Sequence, residues 1–228
     1  MKKLFYFLSI VLTVSLTSCL DILEEIRLKK DGSGAYTMRI DATEFMTQIE
    51  SFAEMDTTGQ MMPKMKHTLD STFGEVYKLY VGIKGISNVK LDTSKSGIYV
   101  TSFDFENVTA LNAAMEKSEE SKKGESKETK VRYAFEKGKF TRSNTFGELD
   151  MSSLLGDTGE DQSQKAMVEE MLEKMTMTVR YYLPEKVKEV DNKKAVVSED
   201  KMSISLETNF KELSEKKVGL GIEVKYKK

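Results

Sequence analysis

LEEIRLKKDGSGAYTMRID, residues 23–41, sets the fold class. Ile26 and Leu28 on one side of Asp31-Gly32-Ser33-Gly34, and Tyr36, Met38 and Ile40 on the other, alternate with Arg27, Lys29, Thr37 and Arg39. A period of two with a glycine-bearing break is the pattern of a β-hairpin that buries one face. Directly behind it, Ala42, Phe45, Met46, Ile49, Phe52 and Ala53 recur at helical spacing, with Thr43 as the expected cap. The unit is strand, turn, strand, helix. A second such unit is expected over residues 89–118, echoing residues 26–55. Val89 and Leu91 lead into Ser94-Lys95-Ser96-Gly97, residues 98–105 alternate, and Val108, Leu111, Ala114 and Met115 form a helical stripe. Laid over each other, Leu28, Ser33, Gly34, Tyr36 and Asp41 meet Leu91, Ser96, Gly97, Tyr99 and Asp104. Turn chemistry alone selects the glycine and serine, so duplication and coincidence stay open.

Outward from these units the pattern stays mixed. Residues 64–86 are read as a short strand around Ser71-Thr72-Phe73 followed by a helix from Gly74, with one long helix as the alternative. Residues 119–130 (EESKKGESKETK) are almost without apolar side chains and read as a solvated linker. Val131, Tyr133 and Phe135 alternate up to Gly138, and Phe140 starts a return strand. Met167, Val168, Met171, Leu172 and Met175 make a helical stripe, of the kind that is usually core. The tail reads as strands over 176–183, 187–190, 195–197, 202–206 and 218–226, with a helical turn at 210–213. Hairpins at short spacing with helices between them give an α+β domain. Its antiparallel sheets are built from β-hairpin–helix units, with helices packed on one face. A βαβ nucleotide-binding layout is not supported.

Composition narrows function. The chain has 228 residues, aromatics make up 9% of them and only two are proline, which marks a folded body rather than a disordered one. Thirty-five basic residues against 37 acidic ones create no field that would draw in nucleic acid. A single cysteine, Cys19, and a single histidine, His67, exclude a disulfide framework, a Cys/His zinc site and a Cys–His nucleophilic pair.

The amino terminus carries a localisation. Lys2 and Lys3 precede an apolar run over residues 4–16, too short to span a bilayer and built like the core of an export signal. Leu16-Thr17-Ser18-Cys19 follows, and resembles the lipobox of bacterial lipoproteins. That resemblance implies cleavage after residue 18, a diacylglyceryl thioether on the Cys19 sulfur and further palmitate-type acylation of its amine. Two or three chains anchor stably where one is marginal, each buried CH₂ contributing ~0.8 kcal/mol. The expected organisation is a signal peptide over 1–18, an acylated anchor and short tether over 19–22, and one α+β domain over 23–228. Cleavage removes two lysines, so the mature body is more acidic and has no basic patch with which to seek anionic headgroups. Leu20, not aspartate, follows the cysteine, which favours the outer membrane over retention at the inner one.

The lipobox with a DGSG hairpin behind it, GISNVKL leading to FDFENVTALN over residues 85–112, and YYLPEKVKEV over residues 181–190 together resemble envelope lipoproteins of the LppM type. The resemblance implies a membrane-tethered α+β domain with lipid or glycolipid binding. This chain lacks the tryptophan often found in the last strands and adds a methionine-rich loop and helix, so no binding residue carries across.

Three groups of residues are candidate sites beyond Cys19. Tyr36, Tyr99, Tyr133, Phe135 and Tyr181, with Tyr182, fall on strands where one face could present an apolar surface to an acyl chain; the competing reading is ordinary core. Met61, Met62, Met65 and His67 combine thioethers with imidazole, a ligand set suited to Cu(I). Adjacent methionines point apart on regular backbone, so no resident metal or cofactor is expected. Asp157, Glu160 and Asp161 lack calcium-loop spacing. The expected function is a non-catalytic binding or scaffold module, its partners the bilayer through Cys19 and a lipid or envelope protein. A periplasmic hydrolase with acidic site residues and a copper-binding protein are the alternatives.

Overall fold

β1 (Leu20–Leu28) and β2 (Gly34–Asp41) form the first hairpin, paired antiparallel from Asp21 opposite Asp41 to Leu28 opposite Gly34. Gly32 turns the chain at a φ of 83°, in the left-handed region that favours glycine. Gly34 is required for space instead: a Cβ there would overlap the Arg27 carbonyl oxygen and the Phe105 ring. This computed structural model describes residues 20–47, 63, 67, 71, 77–120, 132–136, 138–143, 169–215 and 218–226.

The next elements are β3 (Ile86–Asp92), β4 (Ile98–Phe105) and the helix α1 (Val108–Glu120). They are followed by β5 (Tyr133–Glu136), β6 (Lys139–Arg142) and β7 (Met175–Tyr182). The tail supplies β8 (Val187–Val190), β9 (Val196–Val197), β10 (Ser203–Asn209), the short helix α2 (Phe210–Ser214) and β11 (Ile222–Tyr226). Residues 43–47, 77–80 and 169–174 are also helical. A seven-stranded sheet runs β3-β4-β2-β1-β7-β10-β9 and a four-stranded sheet runs β5-β6-β11-β8. The fold is α+β with mostly antiparallel pairing, as the alternation predicts. The exception lies at the centre of the large sheet, where β1 and β7 pair parallel from Leu20 opposite Met175 to Arg27 opposite Tyr182.

Strand periodicity decides which face is buried. Ile22, Glu24, Ile26 and Leu28 of β1 point inward with Met175, Met177, Val179 and Tyr181 of β7, and with Tyr99, Thr101, Phe103 and Phe105 of β4. The four-stranded sheet contributes Tyr133, Phe140, Ile222 and Val224 to the same core, and α1 contributes Val108, Leu111, Ala114 and Met115. Asn107 caps α1, its side chain accepting from the Ala110 amide at 3.0 Å. Asn112, one turn on, clasps β5: it accepts from the amides of Arg132 and Tyr133 at 3.1 and 2.8 Å and donates to the Tyr133 carbonyl at 2.7 Å.

Both ββα stretches fold as antiparallel hairpins followed by helix, joined through β2 and β4. Their registers differ. Leu28 faces Gly34, whereas Leu91 faces Thr101 and not Gly97, so the second hairpin has the longer connection; β3 also carries an irregularity between Ser87 and Lys90, with Asn88 at a φ of 53°.

Several boundaries differ from expectation. Residues 20–22, assigned above to a tether, are the first residues of β1, and Ile22 is already core. Ser71, expected in a strand, is helical, while residues 77–80 are helical as expected. Met175 fits both a helical stripe and strand alternation; it belongs to β7, where Met177, Val179 and Tyr181 carry the pattern on. Thr43 does not cap its helix: Ala42 accepts the first helical bond and the Asp41 side chain takes the Thr43 amide at 3.1 Å. Glu119 and Glu120, assigned to the linker, end α1.

Candidate functional site

Glu24 sits on the central strand with the parity of Ile22 and Ile26, so β alternation drives a carboxylate into the core, where it is 4% exposed. A buried charge is tolerated only when paired and hydrogen-bonded. Its partner comes from the other sheet. Arg142, the last residue of β6 and 3% exposed, places Nη1 3.3 Å from Glu24 Oε1, and its Nη2 donates to Oε2 at 3.4 Å. Tyr133 Oη donates to Glu24 Oε1 at 2.5 Å, and Arg142 Nη1 also donates to Tyr181 Oη at 2.9 Å. Arg142 Nε is buried without a hydrogen-bond partner among the described residues. The two sheets therefore meet through an ion pair bracketed by two tyrosines.

Electrostatics follow from that burial. Burial opposes the Arg142 cation, but Glu24, Tyr133 and Tyr181 more than offset it and hold its pKa well above the ordinary value. Burial pushes the Tyr181 phenol up to about 12, against the nearby Arg142 charge. Tyr133 and Tyr36 are raised well above the usual phenol range by burial, with the Glu24 charge adding to it.

Beside Arg142 the four-stranded sheet opens into a cleft of about 690 Å³, lined by Arg132, Arg142, Ser143, Asp191, Asn192 and Glu223 among others. Its walls are held by their own bonds. Asp191 Oδ1 accepts from the Glu223 amide at 2.7 Å, and Asn192 Nδ2 donates to the Gly221 and Gly219 carbonyls at 2.8 and 3.3 Å. Lys139 Nζ stands 2.9 Å from Glu223 and holds that carboxylate below its ordinary pKa, chiefly through their hydrogen bond. The cleft is open and of mixed lining, with Ala134 and Ile222 beside the charged and polar groups.

The strand aromatics occupy core and line no such cleft. Tyr36 stacks on Phe103 at 4.8 Å between centroids, Phe140 tilts against Tyr181 at 5.1 Å, and Tyr133 stacks on Phe140 at 6.1 Å. Tyr99 is buried on the same face, and Phe135 packs on Tyr226 and against the turn glycine Gly32. The rings expected to form a concave apolar surface pack instead on one another, Tyr36–Phe103, Tyr133–Phe140 and Phe135–Tyr226 within a sheet and Phe140–Tyr181 between the two. Tyr182 lies on the opposite face, with the Arg27 guanidinium 3.6 Å above its ring and its hydroxyl donating to Glu25 at 2.9 Å. His67 is helical and exposed. Leu16, Thr17, Ser18, Cys19, Met61, Met62, Met65, Asp157, Glu160 and Asp161 lie outside the described residues. Among the described residues no group of three or more His, Cys, Asp or Glu is placed to hold a metal, and no helix is long and apolar enough to cross a membrane.

The network escapes sequence reading on one side only. Glu24 is legible as an inward charge from strand parity; Arg142 is not, because it lies 118 positions along the chain.

No protein-family model matches the chain, and no curated protein matches it. Among solved structures it is similar to the folded domain of Mycobacterium tuberculosis LppM, determined by NMR. Identity is 9%, coverage is 93% of this chain and 92% of that one, and the TM-score is 0.39, a likeness that transfers neither residues nor activity.

Proposed function

We propose that this chain is an exported lipoprotein, acylated at Cys19, whose folded body serves as a non-catalytic binding or scaffold module at the bacterial envelope. The carrying observation is the position of the lipobox cysteine. Cys19 immediately precedes β1 in the sequence, so cleavage after Ser18 leaves every strand of both sheets intact. Leu20 after the cysteine favours the outer membrane. A binding role is favoured over a hydrolytic one because the cleft carboxylates Asp191 and Glu223 are engaged in bonds that hold the turn and the sheet, and Arg142 is engaged by Glu24. Arg132, Asp191 and Asn192 in the lining of that cleft, beside Ala134 and Ile222, suit a ligand with both polar and apolar groups, such as a lipid headgroup region, a glycan or a protein surface.

The test is metabolic labelling with a radioactive fatty acid in cells producing the full chain. Label should enter the protein and be absent from Cys19→Ser, which should move from the membrane fraction to the soluble one. An unlabelled protein, or a Cys19→Ser variant that fractionates unchanged, overturns the reading. Native mass spectrometry of the detergent-purified protein then distinguishes bound lipid, metal and protein.

A further inference from the structure

The spacing between Cys19 and the sheet also fixes an orientation, an inference that rests on acylation at Cys19. Successive Cα atoms are about 3.8 Å apart, so a lipidated Cys19 keeps Leu20 within one residue's reach of the headgroups. Leu20 is not on a loose arm. It is paired with Met175 of β7 and packs with Met171, Ala42 and Phe45 in a small apolar cluster at this end of the sheet. The strand order carries the same end across the molecule, because Asp21 pairs with Asp41, Asp41 with Ile98, and Thr176 with Asn209. The helical stretch 43–47, the 93–97 turn, the helical stretch 169–174 and α2 therefore all emerge where the anchor is attached. The 93–97 turn is seated firmly there, since the Gly97 carbonyl accepts from the Ala42 amide at 2.7 Å.

We propose that this end of the seven-stranded sheet rests against the bilayer surface, with β1 pointing away from it and the 29–33 turn as the distal tip. β1 rises by about 3.3 Å per residue, so its nine residues place that turn on the order of 30 Å farther out. Charges at the membrane-side end are of both signs. Lys211 stands 2.5 Å from Glu173, and Lys174 stands 2.7 Å from Glu170. Contact is therefore enforced by the short anchor rather than by attraction to anionic lipid, and it persists on a zwitterionic bilayer. Lys194, two residues after the cleft residue Asn192, reaches Glu212 of α2 at 2.9 Å and ties that part of the chain to the same end.

The test uses full-length protein, processed by a lipoprotein-maturing host and reconstituted into phosphatidylcholine vesicles. The chain has no cysteine besides Cys19, whose sulfur is blocked by the thioether, so Lys95→Cys and Lys29→Cys each accept one fluorescent label. Quenching by nitroxide carried on the lipid headgroups should be several-fold stronger at position 95 than at position 29. A flexible glycine-serine insert of about ten residues between Cys19 and Leu20, able to span roughly 35 Å, should erase that difference while the protein still floats with the vesicles. Equal or reversed quenching in a protein that floats overturns the orientation alone. A protein that takes up two labels and fails to float overturns the anchor and the orientation together.

Discussion

Replacing Glu24 by glutamine keeps the shape and the acceptor for Tyr133 but removes the charge that faces Arg142. At 3.3 Å the two groups attract by roughly 5 kcal/mol at an effective dielectric of about 20, against a desolvation cost of several kcal/mol per ion. The pair is therefore near break-even as a whole, while either half alone is a liability. Arg142 is 1% exposed at its side chain and its pKa is held high, so in Glu24→Gln it stays a buried, uncompensated cation. The expected loss is about 3–5 kcal/mol. In urea, at a slope of about 2 kcal/mol per molar, the midpoint of the chain lacking residues 1–18 should fall by roughly 1.5 M or more. Arg142→Met should cost a similar amount by orphaning Glu24. The double variant Glu24→Leu/Arg142→Met should lie within about 2 kcal/mol of the parent, giving a coupling energy of several kcal/mol. A Glu24→Gln variant within about 1 kcal/mol of the parent, or costs that simply add in the double variant, would refute the reasoning.

Three further outcomes follow from the same contacts. Gly34→Ala should destabilise by at least about 3 kcal/mol, because the added methyl meets the Arg27 backbone and the Phe105 ring, and thermal unfolding will show whether it does. Asn112→Ala leaves two amides and a carbonyl around β5 without their partner and should cost about 2–4 kcal/mol, with faster hydrogen exchange at Arg132 and Tyr133 as its local signature. Raised phenol pKa values predict alkaline unfolding: for Tyr36, Tyr133 and Tyr181 the stabilisation is complete below the ordinary phenol value of about 10 and is lost as pH rises toward the folded values, about 12 for Tyr181. Each phenol costs about 1.4 kcal/mol per pH unit in that window, so tyrosine ionisation and loss of β-sheet circular dichroism should coincide; gradual ionisation with the sheet intact would contradict the burial.

Local chemistry makes some of this readable and leaves the rest hidden. The hairpins at β1–β2 and β3–β4 follow from a period of two around glycine-bearing turns, and α1 follows from a stripe behind Asn107. Pairing between remote strands has no such local signature. Nothing near residue 20 or residue 175 announces that β1 and β7 lie parallel, and that contact, with the β7–β10 pairing, places the start of β1, the 169–174 helix and α2 side by side. Met175 reads as the end of a helical stripe because two periods coincide on it, and Thr43 reads as a cap although the helix begins one residue earlier, at Ala42, with the Asp41 side chain accepting from the Thr43 amide. The site shows the same division: parity puts Glu24 inside, but its compensation by Arg142, Tyr133 and Tyr181 needs two sheets folded against each other.

β1 also joins the two halves of the functional proposal. An anchor at Cys19 would pull along β1, and β1 is hydrogen-bonded on both sides, to β2 through Leu28 and to β7 through Arg27. A pull in the strand direction loads these ladder bonds together in shear, whereas a pull across an edge strand would open them one at a time. The inward face of the same strand is pinned to the second sheet by Glu24. A lipid attached directly before β1 would therefore load a strand that is paired along its length on both sides. The outer edges, β3 and the two-residue β9 with its exposed Val196 and Val197, would carry none of that load directly.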